Sequence, residues 1–231
     1  MKIDVLDKGY VRLRDSMGSD LKPADVARVS FDKQAKDFSE EQNGRLINYL
    51  MRNNEFSCFR HNAISMELYM PLMVARQIYK YSIASAFRED QYGWNESSRR
   101  YITEEPEFYI PEHSQWRTAP ENKKQGSGEP LPDAKGKEFT ELLMKHIDKS
   151  VEIYDAAIEQ NIAVEQARVF LPAYGMYVRA YWTASLNSLF HFLDERLASN
   201  AQSEIRDYAE AVADILEDRF PVIYYAWKDN K

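Results

Sequence analysis

One stretch constrains the fold more tightly than any other. From Ala63 to Met70 the chain alternates as a strand does, and the run enters Pro71, whose fixed φ suits the first position of a helix. The helix from Pro71, with Met73 and Ile78 among its packing residues, is expected to end near Ser85. A loop rich in polar and aromatic groups then leads to Asn95, Glu96, Ser97, Ser98, Arg99 and Arg100, six polar groups in succession. Arginine offers phosphate a planar fork, serine a short hydroxyl donor, and glutamate an acceptor for a sugar hydroxyl. Such a cluster can hold a phosphorylated heteroaromatic ligand, and taken alone it also reads as a solvated loop.

The flanking segments supply the scaffold. Lys2 to Arg14 alternates around Lys8-Gly9 and predicts a short hairpin. Asp20 is placed to cap a helix running through Pro23 and Val26 towards Val29, and Ser39 with Gln42 forms a capping box opening a second helix. The stretch from Thr118 to Gly136, with its prolines, glycines and lysines, reads as a mobile surface loop. Leu142, Leu143, Ile147, Val151, Tyr154 and Ile158 recur at helical spacing within an amphipathic helix from Glu138 to Gln160. A shorter helix over Ala163 to Leu171, a strand over Tyr174 to Thr183 and a helix over Ser185 to Leu197 follow. On the last of these, Asn187, His191 and Asp194 share a face, but with no second histidine the set predicts no metal site. Asn200 is positioned to cap a further helix, and Phe220 to Trp227 forms an aromatic terminal helix or packed tail.

The 231 residues suit one domain, here read as a single unit with an inserted loop near 86–94. A net charge of −7 argues against binding to a nucleic-acid polymer, which needs many phosphate-neutralising cations. The chain has one cysteine, no apolar run long enough to span a bilayer, and an N-terminus without the apolar core of a signal peptide. A cytoplasmic setting without a membrane partner is the expectation. Cys58 has no partner base nearby in sequence and reads as a small buried thiol.

The order Ala75-Arg76-Gln77, Ile83-Ala84-Ser85 and Asn95-Glu96-x-Ser98-x-Arg100-Tyr101 resembles the signature region of the flavin-dependent thymidylate synthases, the ThyX family. Val26 to Phe31, Ser57-x-Phe59-x-His61, Glu107 to Pro111, Ala167-Arg168-x-x-Leu171-Pro172, and Arg196 followed by Ala201-Gln202-x-Glu204-Ile205 fall in the family's order, so the similarity spans nearly the whole chain. The resemblance implies an α+β fold with helices packed on a mainly antiparallel sheet, assembled as a homotetramer with active sites at subunit boundaries. It implies FAD as cofactor, NADPH and methylenetetrahydrofolate as co-substrates, and methylation at C5 of deoxyuridine monophosphate (dUMP) or a related uridylate. On the nucleotide side the matching positions are Gln77, Glu96, Ser98, Arg100, Arg168 and Arg196, with Arg196 beside the pyrimidine as the catalytic candidate. On the flavin side they are Ser30, Ser57, His61, Lys80, Tyr81, Ser82 and Asn200.

The chain departs from the family pattern where it matters most for flavin. Lys80-Tyr81-Ser82 replaces Arg-His-Arg, about eight residues are inserted before Asn95, and Asn200 stands where the family has histidine. Lys80 keeps a charge without bidentate geometry, Tyr81 can stack on an isoalloxazine or occupy its place, and Tyr92 and Trp94 can cover a ligand. A non-catalytic nucleotide-binding homologue, or a uridylate-modifying enzyme with an altered cofactor or product, fits the same residues.

Overall fold

The computed structural model describes residues 1–83, 93–98, 105–121 and 126–231. Two strands open the chain, β1 (Lys2–Val5) and β2 (Gly9–Met17), followed by the short helix α1 (Lys22–Ala27) and helix α2 (Glu40–Arg52). Strand β3 (Ala63–Pro71) runs directly into helix α3 (Leu72–Ile83), so Pro71 closes the strand and the helix starts one residue after it. After β4 (Trp94–Glu96) come the long helix α4 (Asp133–Glu159), the single turn α5 (Val164–Ala167) and strand β5 (Tyr177–Ser185). Helices α6 (Leu186–Arg196), α7 (Ser203–Arg219) and α8 (Pro221–Asp229) complete it. The fold is α+β, as expected. The inserted segment up to Tyr92, and Ala84 and Ser85 before it, lie outside the described residues.

The five strands form one sheet in the order β1-β2-β3-β5-β4, every pair antiparallel. Alternation then assigns each residue a face. Ile64, Met66, Leu68 and Met70 of β3, with Val178, Ala180, Trp182 and Ala184 of β5, are buried beneath the helices. Trp182 meets the edge of Phe192 on α6 at 5.2 Å, and Phe190 stacks on Trp227 of α8 at 6.0 Å. The other face carries Arg12, Arg14, Ser65, Glu67, Tyr69, Arg179, Tyr181 and Thr183, and no helix of the chain lies across it among the described elements. A second apolar cluster, with Phe108, Ile147, Tyr154, Leu171 and Met176, lies under α4.

Local chemistry explains most boundaries and corrects three. Ser39 accepts from the Gln42 amide and Gln42 answers to the Ser39 amide, the reciprocal box that opens α2. Ser185 caps α6 through the Ser188 amide. Asp20, by contrast, does not cap α1, whose N-cap is Leu21 without a side-chain bond. Its carboxylate reaches across the molecule to accept the amides of Val222 and Ile223, at 2.8 and 3.0 Å, and so caps α8. Asn200 likewise does not cap α7, whose N-cap is Gln202 without a side-chain bond. The long helix begins at Asp133 rather than Glu138, its first turn closed by the Lys135 and Gly136 amides on the Pro132 carbonyl at 2.8 and 3.0 Å, and Gly136 lies so close to the His113 carbonyl (2.0 Å from an added Cβ) that only glycine lets this turn pack there.

Asp20→Ala leaves the first two amides of α8 that it caps without this acceptor and is expected to lower stability by about 1 kcal/mol. A chemical denaturation curve shifted in midpoint with an unchanged slope is the expected readout. An unshifted midpoint would mean that α8 is held by packing alone.

Candidate functional site

Several of the residues singled out from the sequence gather on two sides of the sheet. On the open face, the 3-10 turn Phe56–His61 and the segment after β2 border a trough of about 1250 Å³ at the end of the sheet where β3 begins. Ser57 and His61 line it, together with Lys22, Arg60, Ser65 and Thr183. Thr183 donates from its hydroxyl to that of Ser65 at 3.0 Å, which fixes one wall. Ser30 is exposed in the turn Val29–Phe31 and does not line the trough. Cys58, in the same turn as Ser57, is buried, and burial pushes its thiol up, away from the reactive thiolate.

On the helical side, α3, α6 and the start of α7 converge. Gln77 donates to the Gln202 side-chain oxygen at 2.8 Å and to the Met73 carbonyl at 3.4 Å. Tyr81 is 5% exposed, its ring edge-on to Phe192 at 5.2 Å and 5.4 Å from His191. The Arg196 guanidinium lies 5.3 Å from the centre of the Tyr81 ring, a cation–π distance, and its Nε is buried without a hydrogen-bond partner. Burial raises the Tyr81 hydroxyl's pKa, and the positive charge and hydrogen bond of Arg196 pull it back in part. Tyr81 is therefore turned into the core and backs Arg196. Lys80 beside it is exposed.

β4 brings the polar cluster to this helical layer. Glu96 lies 3.7 Å from Arg76 of α3, while the Ser97 amide and hydroxyl both bond to the backbone of Arg179. Ser98 is half-buried, and Trp94 meets the edge of Tyr79 at 5.7 Å. Arg100 and Tyr92 lie outside the described residues, and Ser82 falls in the last turn of α3. Arg168 stands apart, exposed on the turn after α5, with its Nε donating to the Glu165 carbonyl at 3.1 Å. Asp194 bonds to the indole of Trp227 at 3.1 Å and so holds α8, while His191 is exposed. Asn200 is exposed, with its backbone close to Gly126.

Sequence reading missed two further groupings. Glu67 sits on the open face, 3% exposed, accepting from Tyr10 at 2.5 Å and from Arg14, with Arg179 and Arg12 at 3.5 and 3.8 Å. The second is a cavity of about 500 Å³ beside Gln202, walled by Trp116, Phe108, Leu143 and Ile147 and containing the Arg117–Glu204 ion pair. Arg117 and Glu204 are 87 residues apart, and no local pattern marks the cavity they share.

Comparison with known proteins gives this geometry a family. Residues 12–222 match the family described as Thymidylate synthase complementing protein. The chain belongs to this family. Its relatives include the flavin-dependent thymidylate synthase of Thermotoga neapolitana, 38% identical over 230 residues that cover 98% of this chain and 94% of the relative. That of Thermus thermophilus is also 38% identical, over all of this chain and 79% of the relative. Among solved structures, the UMP/dUMP methylase PolB of Streptomyces cacaoi, bound with 5-Br dUMP, superposes with a TM-score of 0.82 at 25% identity, covering 98% of this chain and 97% of that one. PolB bound with 5-Br UMP gives the same TM-score. In this family member, Ser57 and His61 lie on the open face of the sheet, and Gln77 and Arg196 lie on the helical side.

Proposed function

We propose that this chain is a cytoplasmic flavin-dependent enzyme that methylates C5 of dUMP, with methylenetetrahydrofolate as carbon donor and NADPH as reductant. The observation that carries the reading is the joint arrangement of Gln77, Tyr81 and Arg196 in a family member 38% identical to flavin-dependent thymidylate synthases over almost its full length. UMP is a second candidate substrate, favoured by the likeness to a protein described as a UMP/dUMP methylase.

Each residue then has a task. Arg100 and Ser98 donate to the nucleotide phosphate, joined by Arg168 of another subunit, and Glu96 accepts from the sugar hydroxyl. Arg196 lies beside the pyrimidine and stabilises negative charge on the ring as C5 becomes nucleophilic, so no protein nucleophile is required. Gln77 orients the ring edge. The open trough fits FAD in size and donor set: Lys22 and Arg60 for the pyrophosphate, and the hydroxyls of Ser57, Ser65 and Thr183 with His61 for its polar edges. Bound there, the flavin supplies the hydride that completes a methyl group from a methylene.

The opposite-face arrangement supports a site shared between subunits, as in the homotetramer that this reading includes. Ser57 and His61 lie on the open face and Arg196 lies behind the other, so a nucleotide and a flavin in contact need the trough of one protomer set against the helical side of another. The substitutions at Lys80-Tyr81-Ser82 shift flavin binding away from an arginine clamp on α3 and onto the trough.

Titration of the purified protein with FAD, followed by visible absorption with and without dUMP or UMP, tests the reading. Flavin binding with a spectrum perturbed by one nucleotide is the expected result and identifies which. Nucleotide binding with no flavin binding at saturation would overturn it in favour of a repurposed nucleotide-binding homologue.

A further inference from the structure

We propose that Tyr81 is a positioning residue for Arg196: its ring fixes the heading of the guanidinium relative to Gln77, so that both side chains meet one nucleotide from one ridge of α3. In the methylation reading, on which this rests, Arg196 stabilises charge on the pyrimidine. Residues four apart on a helix share a face, and Met73, Gln77 and Tyr81 follow one another at that spacing. All three engage the junction between α6 and α7. Gln202, just before α7, donates to the Met73 sulfur at 3.7 Å and accepts from Gln77 at 2.8 Å, while Tyr81 meets Arg196 at the end of α6.

The backbone of this junction is held without Tyr81. The Arg206 guanidinium donates to the carbonyls of Ala198, Ser199 and Ala201 at 3.3, 2.9 and 2.9 Å and closes the turn between Arg196 and Gln202. What the turn leaves open is the heading of the Arg196 side chain, which has several rotamers and a buried Nε with no hydrogen-bond partner among the described residues. The Tyr81 ring restricts that choice. The guanidinium carbon lies 5.3 Å from the ring centre, and the ring is itself clamped: it is 5% exposed, edge-on to Phe192 at 5.2 Å and tilted against His191 at 5.4 Å. Phe192 and Arg196 are four apart on α6, so the ring of Tyr81 seats between two residues of one helical ridge. A guanidinium held in this way needs no reorganisation as charge develops on a ligand, so loss of the ring should appear in kcat rather than in KM.

The test is a set of variants of the full chain assayed for nucleotide methylation. Tyr81→Leu should lower kcat about 10-fold with KM for the nucleotide within about 2-fold, the size of a desolvated cation–π contact expressed as a rate. Tyr81→Phe keeps the ring and should stay within about 3-fold of the parent. In an Arg196→Ala background Tyr81→Leu should cost nothing further, because the group it positions is gone, whereas a purely structural loss would add in both backgrounds. Tyr81→Met serves where Tyr81→Leu fails to give a cooperative thermal transition. Crystal structures of the parent and Tyr81→Leu give a readout without turnover, with Arg196 expected in one rotamer in the parent and spread over several in the variant. A parent that does not methylate would overturn the proposed function and leave the rotamer comparison to decide the role of Tyr81. Equal losses in the two Arg196 backgrounds, a Tyr81→Phe loss as large as that of Tyr81→Leu, or an Arg196 unmoved in Tyr81→Leu would overturn the proposal.

Discussion

Replacing Arg196 with alanine is expected to lower kcat by about 100- to 1000-fold while leaving the fold intact. The side chain is held by its surroundings but not consumed by them. Its guanidinium rests 5.3 Å from the Tyr81 ring, and its Nε is buried with no acceptor. A cation–π contact of this kind contributes roughly 0.5–2 kcal/mol, too little to explain keeping a half-buried guanidinium beside an apolar helix pair for stability alone. Preorganised for charge that develops on a ligand, the same group acts without reorganising at the moment of reaction. Arg196→Lys should recover only part of the lost rate, because a point charge replaces the planar fork. Steady-state kinetics and a thermal melt on each variant separate the cases. A loss of rate below about 10-fold would remove Arg196 from the reacting atoms, and a melting temperature falling in step with activity would make it structural.

The contrast between what the residues foretold and what they did not has physical causes. The unit from Ala63 to Ile83 was readable because strict alternation, a proline at the junction and a helical apolar stripe all point the same way. The Ser39 box was readable for a similar reason, since its two partners are only three positions apart. Asp20 misled because capping logic is local while its true partners are 202 and 203 residues away. Tyr81 could not be placed from its neighbours: whether an aromatic next to an exposed lysine stacks on a ligand or turns inward depends on α6, which supplies Phe192 and Arg196. The open sheet face was equally hard to read. Arg12, Arg14, Glu67 and Arg179 occupy the polar positions of alternating strands and read as solvent-facing, and only the register that sets Arg12 opposite Glu67, and Glu67 opposite Tyr181, brings them together. The cavity around Glu204 is invisible for the same reason, since Arg117 and Glu204 meet across 87 residues.

Glu67→Ala is expected to destabilise the protein by about 3 kcal/mol, the largest loss from any single substitution on the open face. Among the described residues its carboxylate faces three guanidiniums, those of Arg12, Arg14 and Arg179, and it also accepts the Tyr10 hydroxyl. Removing it leaves the guanidiniums to repel one another and strands the hydroxyl, whereas Glu67→Gln keeps an acceptor for Tyr10 and should cost less. The two variants also differ from the parent in acid. Burial alone would push the Glu67 carboxyl up, but the hydrogen bonds from Tyr10 and Arg14 and the charges of Arg14 and Arg12 outweigh it and hold the group below its ordinary value of 4.5. A carboxyl whose folded-state pKa lies below the unfolded one contributes its stability fully above the unfolded value and loses it as pH falls through the folded one. The parent should therefore show a stability that declines below about pH 4.5, and the Glu67→Gln variant should lack that part of the decline. Chemical denaturation at a series of pH values from neutrality into acid reads the difference directly. Parallel curves for parent and variant would mean that the arginines around Glu67 are carried by solvent rather than by the carboxylate, and that the open face is held by its strand pairing alone.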